Sequence, residues 1–313
     1  MELNNVLYEK VILGAGISGI LTSYFNPEAV LIDKQPFGQL SPKFDLGPRH
    51  VHYSKEIIKI LKQEKIKYTI ENIKIGYIKN NKSVKIKNID LNEYFLKSRG
   101  EELSTKQSVL NSSKERFKAI VFNQKSFFKK ILKNKKIIQN NIKEIKIKNN
   151  LFIITLDNKE KIETKEIISC IPFDILLKCL GVEKEIIKKF KKKEILFLTV
   201  NKSPINFKDK NFFYIIDNSY KFYRITKTSQ KKYCMEFLLE NNSFLDIIKE
   251  NLFFNIKNIA ILNSQIVETQ ETKRIIKNFK EKYPIKLIGR YAEWDRDLKI
   301  NNIIEKIIKE RIK

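Results

Sequence analysis

The chain of 313 residues carries 62 lysines and arginines against 36 aspartates and glutamates, a formal net charge of +26. Its length allows a large buried core, and a hydrophobic content of 42% excludes an intrinsically disordered chain. Because no run of about 18 apolar residues occurs, a membrane span is not expected.

The N-terminus and the cysteines favour a cytoplasmic protein. The first residues lack the basic region and the apolar stretch of a signal peptide. Cys170, Cys179 and Cys234 are an odd number and lack metal-ligand spacing, which is typical of a reducing compartment. The two histidines, His50 and His52, have no cysteine pair nearby, so no metal site is expected.

The positive charge suggests a nucleic-acid partner, but the kind of basic residue argues against it. Only eight of the 62 basic residues are arginine, the side chain favoured for bidentate contacts with bases and phosphates. Lysines scattered among isoleucine and asparagine are typical of AT-rich coding. We therefore expect a small-molecule substrate and keep nucleic acid as a less favoured partner.

The first predicted elements are a strand, a tight turn, a helix and a second strand. Hydrophobic patterning predicts a strand over residues 10–13, a helix over Ile17–Phe25 and a strand over Val30–Asp33. The helix should end at Asn26, because Pro27 disfavours helical geometry at the residue before it.

The turn between the first strand and the helix has the G-x-G-x-x-G pattern of dinucleotide sites. Gly14 permits the tight turn, Gly16 lets a diphosphate approach the main chain, and Gly19 lets the helix pack on the strand. The helix N-terminus offers N–H groups and a positive dipole end to phosphate. Asp33 is placed to accept a hydrogen bond from a ribose hydroxyl. A chance glycine cluster at a strand–helix turn is the alternative.

The middle of the chain is predicted to be mixed. Apolar spacing predicts helices over residues 54–64 and 117–132. Residues 66–95 look like short strands or irregular segments with a polar break at residues 80–82. Asn149-Asn150 tolerates left-handed turn geometry and predicts a hairpin between strands 142–147 and Leu151–Leu156.

The remaining elements are mostly strands. Two short strands are expected over residues 161–163 and 166–170. The last predicted elements are an antiparallel set over residues 195–200, 212–216, 220–226 and 233–239, a strand over 286–289 and a helix over 300–312.

Four segments, taken in order, resemble a single family. They are residues 14–19 with Asp33, Phe44-Asp45-Leu46-Gly47-Pro48, residues 142–172, and residues 287–294, which read Leu-Ile-Gly-Arg-Tyr-Ala-Glu-Trp. The second and fourth are the specific ones, because an ordinary NAD dehydrogenase needs neither. Together they resemble the superfamily of FAD-dependent amine oxidases, protoporphyrinogen oxidase and UDP-galactopyranose mutase.

This resemblance implies that the chain binds FAD. Gly47 and Pro48 would bring bare backbone beside the flavin ring, and Ile142 would give main-chain contacts to the adenine. Gly289 and Arg290 would lie near the flavin pyrimidine, ahead of a helix whose N-terminus stabilises the anionic reduced ring. The implied cofactor-binding set is Gly14, Ala15, Gly16, Ile17, Ser18, Gly19, Asp33, Lys34, Gly38, Gln39, Gly47, Pro48, Ile142, Gly289, Arg290 and Ile300.

The expected fold class is α/β, with a discontinuous Rossmann-like FAD-binding domain and an inserted α+β substrate domain that contains an antiparallel sheet. The FAD-binding domain is expected over residues 1–60, 115–175 and 270–313. The substrate domain is expected over residues 61–114 and 176–269.

His50, His52 and Arg224 are the candidate catalytic residues. In an extended segment residues 50 and 52 point to the same face, so either histidine could serve as a base beside the flavin. Arg224, on a strand among aromatic residues, could hold a carboxylate or phosphate of the substrate.

Each of these assignments has a structural alternative. The histidines could be satisfied by backbone groups, and the aromatic strand around Arg224 could be core packing. Arg290 could form a surface ion pair with Asp295 or Glu293. Trp294 could cap the flavin or pack against the C-terminal helix.

The predicted activity is oxidoreduction, with hydride transfer from a small-molecule C–H bond, in particular one next to nitrogen, to flavin N5. Such chemistry needs no catalytic triad, because the cofactor carries it. The alternatives are non-redox use of reduced flavin, as in the mutase, a flavin enzyme that modifies nucleic-acid bases, and a non-catalytic binding module.

Overall fold

The computed structural model describes residues 6–35, 51–86, 89–100, 115–229, 231–241 and 243–311. Gly38, Gln39, Gly47, Pro48 and His50, all predicted to be functional, lie outside the described residues. The described chain forms two β-sheets with helices packed around them. No described helix has both the length and the apolar content needed to cross a bilayer.

The elements are numbered in chain order. The strands are β1 (Val6–Leu13), β2 (Val30–Asp33), β3 (Val51–His52), β4 (Tyr68–Lys79), β5 (Lys82–Val84), β6 (Arg116–Phe122), β7 (Ile137–Gln139), β8 (Ile142–Lys148), β9 (Leu151–Leu156), β10 (Lys161–Ser169), β11 (Lys192–Val200), β12 (Phe212–Ile215), β13 (Arg224–Ser229), β14 (Lys232–Leu238), β15 (Ile256–Ile266) and β16 (Ile285–Leu287). The helices are α1 (Ile17–Phe25), α2 (Lys55–Gln63), α3 (Leu91–Arg99), α4 (Gln124–Leu132), α5 (Phe173–Cys179), α6 (Lys184–Ile187), α7 (Phe244–Asn251), α8 (Gln270–Lys282) and α9 (Ile300–Arg311).

The first sheet carries the glycine-rich turn at the carboxyl end of its central strand β1. Its order is β7-β2-β1-β10-β9-β8, with β16 also beside β10. Strands β7, β2, β1, β10 and β16 are parallel, whereas β9 and β8 return antiparallel. The first half of β10 pairs with β9 and its second half pairs with β16. Strand β10 therefore joins the parallel and the antiparallel part of the sheet.

Two hydrophobic layers cover the first sheet. On one side α1, α2, α4 and α9 pack through fully or almost fully buried residues such as Ile20, Leu61 and Ile304. On the other side α5 and α8 pack with β8 and β9, and Phe173 and Phe279 stack edge to face. Burial on both faces explains why residues 11–13 of β1 and 30–32 of β2 are continuous apolar runs.

The second sheet has the order β15-β11-β14-β13-β12-β4-β6-β3, with β5 beside β4. Strands β11, β14, β13 and β12 pair antiparallel in the predicted set, whereas β12 runs parallel to β4. Helix α3 covers one face through Tyr94 and Phe95. Helix α7 covers the other face through Ile247.

Several sequence predictions of individual elements are corrected. The helix expected over residues 117–132 is a helix only from Gln124, because β6 pairs with β4 along its whole length. The two strands expected between residues 161 and 170 are the single strand β10. Residues 91–95 belong to helix α3, whose first turn is capped by the Asp90 side chain. Helices α5, α7 and α8 and strand β15 were not predicted.

The mixed α/β class and the hairpin at Asn149-Asn150 are confirmed, with φ values of +52° and +60° at these two residues. The domain boundaries stay a prediction. Strands β3 and β6 belong to the second sheet, although residues 51–52 and 116–122 lie in the ranges expected for the FAD-binding domain.

Candidate cofactor site

The turn after β1 is fixed by two glycines. Gly14 has a φ of +99°, and its N–H donates a hydrogen bond to the carbonyl of Ile32 at 2.8 Å. A Cβ atom on Gly19 would lie 1.7 Å from the Gly14 carbonyl oxygen. Gly14 is therefore required for its positive φ, and Gly19 is required because a side chain would clash with the Gly14 carbonyl. The start of α1 thus packs closely against the end of β1.

Gly16 has a different environment. It is the N-cap of α1 with a φ of −72°, and no side chain of the described residues caps the helix there. A Cβ on Gly16 would meet no described atom within 4 Å, and the first turn carries no acidic residue. Ile17 and Ser18 are partly exposed beside it, whereas Ala15 is buried. Open space at an uncapped, positive helix end fits a phosphate group.

Asp33 lies at the carboxyl end of β2 and faces this turn. Its Oδ2 accepts a hydrogen bond from the Ala15 N–H at 2.5 Å. Its carbonyl accepts one from the Asn140 N–H at 3.0 Å, which brings the segment leading to Ile142 beside it. Ile142 is half-buried at the start of β8, and Lys34 is exposed. The acid and the predicted adenine-contacting segment are therefore neighbours.

The C-terminal segment reaches the same turn through Gly289. This glycine has a φ of +111°, and a Cβ there would lie 2.3 Å from the Ser18 Oγ. Arg290 follows it and is exposed. Ile300 opens α9 and packs against the hydrophobic layer that contains α1. Segments far apart in sequence therefore meet at the N-terminus of α1.

A partly buried ion pair holds the Gly289 turn, and sequence reasoning missed it. Glu293 accepts a hydrogen bond from the Gly289 N–H at 3.1 Å and donates its own N–H to the Gly289 carbonyl at 2.8 Å. Its other carboxylate oxygen binds Lys306 at 2.6 Å. Glu293 is thus the partner of Lys306 and not of Arg290. No local pattern signals a pair separated by thirteen residues.

Trp294 and Cys170 are structural at this end of the sheet. Trp294 is 2% exposed and donates its Nε1–H to the Val267 carbonyl at 2.9 Å. It therefore packs in the core. Cys170, which follows β10, lies with its Sγ 3.7 Å from the Thr22 hydroxyl, and burial raises the pKa of its thiol to about 12.

Two of the candidate catalytic residues lie in the second sheet. Arg224 makes a bidentate pair with Glu236, with both N–O distances 2.6 Å, and the Glu236 side chain is 1% exposed. A substrate contact of Arg224 stays a prediction, and it would compete with this internal carboxylate. His52 stacks on the Phe117 ring with centroids 4.4 Å apart, and its role in proton transfer also stays a prediction.

Sequence reasoning also missed a tyrosine cluster on the face covered by α3. Tyr94 and Tyr214 have ring centroids 4.7 Å apart, and Tyr94 and Tyr223 have centroids 6.5 Å apart. Burial raises the pKa of all three phenols. Arg99, at the end of α3, lies over the Phe95 ring, with its Cζ 4.3 Å from the ring centroid. Arginine is rare in this lysine-rich chain, and this rarity is the signal that could have drawn attention to Arg99.

No protein-family model and no curated protein matches this sequence. Solved structures do match over almost the whole chain. A reduced UDP-galactopyranose mutase superposes with a TM-score of 0.70 at 11% identity, covering 97% of this chain and 95% of the mutase chain. A putrescine oxidase variant superposes with a TM-score of 0.67 at 9% identity, and the match covers 98% of this chain and 99% of the oxidase chain. A provisionally assigned protoporphyrinogen oxidase from Exiguobacterium sp. 255-15 superposes with a TM-score of 0.65 at 10% identity, and the match covers 97% of this chain and 99% of the other. The chain therefore has the fold of the FAD-dependent amine oxidase-like superfamily.

Proposed function

We propose that this protein binds FAD and acts as an oxidoreductase on a small molecule, accepting hydride from a C–H bond, in particular one next to nitrogen. The observation that carries the proposal is the open space over Gly16 at the uncapped N-terminus of α1. Asp33 beside that space adds an acceptor for a ribose hydroxyl. The fold shared with a putrescine oxidase and a protoporphyrinogen oxidase supports the same reading.

When bound, FAD supplies the hydride acceptor. The chain's own residues would bind and orient it. The first amides of α1 would hold the diphosphate, and the Asp33 carboxylate would bind the ribose. Arg290, which follows the Gly289 turn, would add positive charge near the reduced flavin.

The absorption spectrum of the purified protein tests FAD binding. We expect flavin bands, either at once or after addition of FAD and removal of the excess. The Gly16→Asp variant places a carboxylate at the helix N-terminus, where it would repel the diphosphate, and should remain colourless. A wild-type protein that stays colourless with added FAD contradicts the proposal.

Anaerobic addition of amines and nucleosides tests the reaction. Bleaching of the flavin by a substrate without added reductant supports hydride transfer. Turnover seen only after reduction with dithionite indicates non-redox use of reduced flavin instead. Nucleic acid that co-purifies and is lost at high salt indicates the nucleic-acid alternative.

A further inference from the structure

Strand β15 (Ile256–Ile266) is the longest strand at an edge of either described sheet. Among the described strands it pairs only with β11, which lies on one side of it. The other side of an edge strand presents backbone N–H and C=O groups that can pair with a strand of another chain. The Tyr291 hydroxyl donates a hydrogen bond to the Ser264 carbonyl at 2.7 Å, so the open part of this edge lies before Ser264.

The other described edge strands are protected against such pairing, whereas β15 is not. Strands β3, β5, β7 and β16 have only two or three residues each. Strand β8 has seven residues, but four of them are charged, namely Lys143, Glu144, Lys146 and Lys148. Short length and charged side chains are common means by which edge strands avoid pairing. In β15, by contrast, residues 258–266 carry no charge.

The segment around β15 also exposes apolar side chains. Six of the twelve large apolar side chains that are exposed in the described chain lie between residues 244 and 261. Ile259 lies opposite Leu198 of β11, and Ile261 lies opposite Leu196. Both isoleucines therefore lie on the sheet face that α7 covers, although they are 42% and 45% exposed. Exposed apolar side chains gathered in this way mark an interaction surface. The six are Phe244, Leu245, Leu252, Phe253, Ile259 and Ile261.

The charge of this segment favours a second copy of the chain as its partner. The chain has a net charge of +26, so two copies repel each other overall. Residues 244–266 are neutral, because Asp246 and Glu250 balance Lys249 and Lys257. Repulsion is therefore low where two copies meet through this segment. An anionic membrane would instead be attracted to a surface rich in lysine.

Two copies of β15 can pair antiparallel about a two-fold axis at Ala260. This register places Ile259 opposite the partner's Ile261, and the axis repeats the pair. Directly opposite residues of an antiparallel pair lie on the same face, so both isoleucine pairs form on the face that α7 covers. Lys257 lies opposite the partner's Asn263, so no like charges are directly opposed.

We propose that this chain forms a two-fold dimer in which the β15 strands of two copies pair edge to edge about Ala260. The second sheets of the two copies then form one continuous sheet. The same surface serves both copies, so the assembly is closed at two chains. The proposal goes beyond the proposed function and does not depend on FAD binding.

Sedimentation equilibrium of the full chain at about 1 to 100 µM tests the proposal. We expect the mass of two chains at the upper end of this range. Ile259→Lys and Ile261→Lys should each raise the dissociation constant of the dimer at least about tenfold, because each variant brings two like charges into the strand pair. Ile147→Lys is the matched control, because Ile147 is 47% exposed on the edge strand β8, and it should leave the dissociation constant unchanged.

A cysteine variant tests the register independently of the lysine variants. In Ala260→Cys the new thiol faces its own copy across the axis, at a spacing that a disulfide can span. Mild oxidation should therefore give a covalent dimer on a non-reducing gel. Asn258→Cys lies opposite the partner's Leu262 and should not cross-link. The wild type gives the background of the three native cysteines, and circular dichroism shows that each variant is folded.

Three results would overturn the proposal. The first is a wild-type chain that stays monomeric over the whole concentration range. The second is a dimer that Ile259→Lys and Ile261→Lys leave intact, because another surface would then join the copies. The third is cross-linking of Asn258→Cys in place of Ala260→Cys, which contradicts the register.

Vesicle flotation separates a second copy from a membrane as the partner. The vesicles contain phosphatidylcholine and phosphatidylserine, and we expect the dimer to remain unbound at physiological salt. A monomer that floats with the vesicles, and loses this binding in Phe253→Ser, would assign the surface to a lipid membrane and overturn the proposal.

Discussion

The Oδ2 atom of Asp33 lies 2.5 Å from the backbone nitrogen of Ala15, so the acid that ends β2 is bonded to the turn that ends β1. Its Oδ1 accepts a second hydrogen bond, from the Gln35 N–H at 2.8 Å. A carboxylate can accept about four hydrogen bonds, so both oxygens can still accept from a ribose. The acid therefore organises the turn and remains available for a ligand.

Replacing this acid should weaken FAD binding. In Asp33→Asn an amide N–H2 takes the place of one acceptor oxygen, so we expect the dissociation constant of FAD to rise about tenfold. Quenching of flavin fluorescence during titration measures it. Asp246→Asn changes an exposed aspartate on α7 and serves as the control. Equal affinities of the two variants would argue against a ribose contact.

Substitutions at Gly16 and Gly19 should affect FAD binding and stability differently. Gly16→Ala introduces a methyl group into open space at an ordinary φ, so the free energy of unfolding should change by about 1 kcal/mol or less while FAD binding falls. Gly19→Ala brings a methyl group onto the Gly14 carbonyl and should cost about 3 kcal/mol or more. Urea unfolding without FAD separates the two effects. A Gly16→Ala protein that binds FAD normally would contradict the phosphate site.

Local signals explain why the N-terminal part of the fold could be predicted. Glycines at fixed spacing and a proline after the helix define the bounds of α1 and β2, and both agree with the structure. Paired asparagines likewise located the turn between β8 and β9. In these places the backbone itself demands particular residues.

Pairings between distant segments explain what could not be predicted. The apolar residues of β6 also fit a helical period, and only its pairing with β4 decides for a strand. The Glu293–Lys306 pair depends on where α9 packs. Arg224 illustrates the limit, because its position on a strand was anticipated and its Glu236 partner was not.

The Glu293–Lys306 pair should stabilise the fold through the Gly289 turn. Lys306→Ala would leave a carboxylate that is 14% exposed without its cation, so we expect a loss of about 2 kcal/mol in the free energy of unfolding. Urea denaturation measures it. Lys309→Ala, exposed on the same helix, should change the free energy by no more than about 0.5 kcal/mol. Similar midpoints for both variants would show that the pair contributes little.

A double substitution should show whether Arg224 is structural. Arg224→Met leaves the buried Glu236 carboxylate with Tyr223 as its remaining hydrogen-bond donor, at 3.0 Å, and should cost about 3 kcal/mol. Adding Glu236→Gln removes the uncompensated charge and keeps an acceptor for Tyr223, so most of that loss should be recovered. Thermal unfolding of Arg224→Met, Glu236→Gln and the double variant measures the coupling. If stability returns but flavin reduction by substrate does not, Arg224 also contacts the substrate.

The buried tyrosines should make the protein sensitive to alkali. Burial raises the pKa of Tyr94, Tyr214 and Tyr223, so the folded chain keeps protons that the unfolded chain releases near pH 10. Because the unfolded state then binds fewer protons, the free energy of unfolding must fall as the pH rises above about 10.

Tyrosinate absorbance during alkaline titration should show only part of the twelve tyrosines ionising while the protein is folded, and all of them near pH 10 in urea. Tyr94→Phe should reduce the alkaline loss of stability, whereas Tyr53→Phe, at a side chain that is 41% exposed, should not. A native protein whose tyrosines all ionise together near pH 10 would show that the cluster is open to solvent.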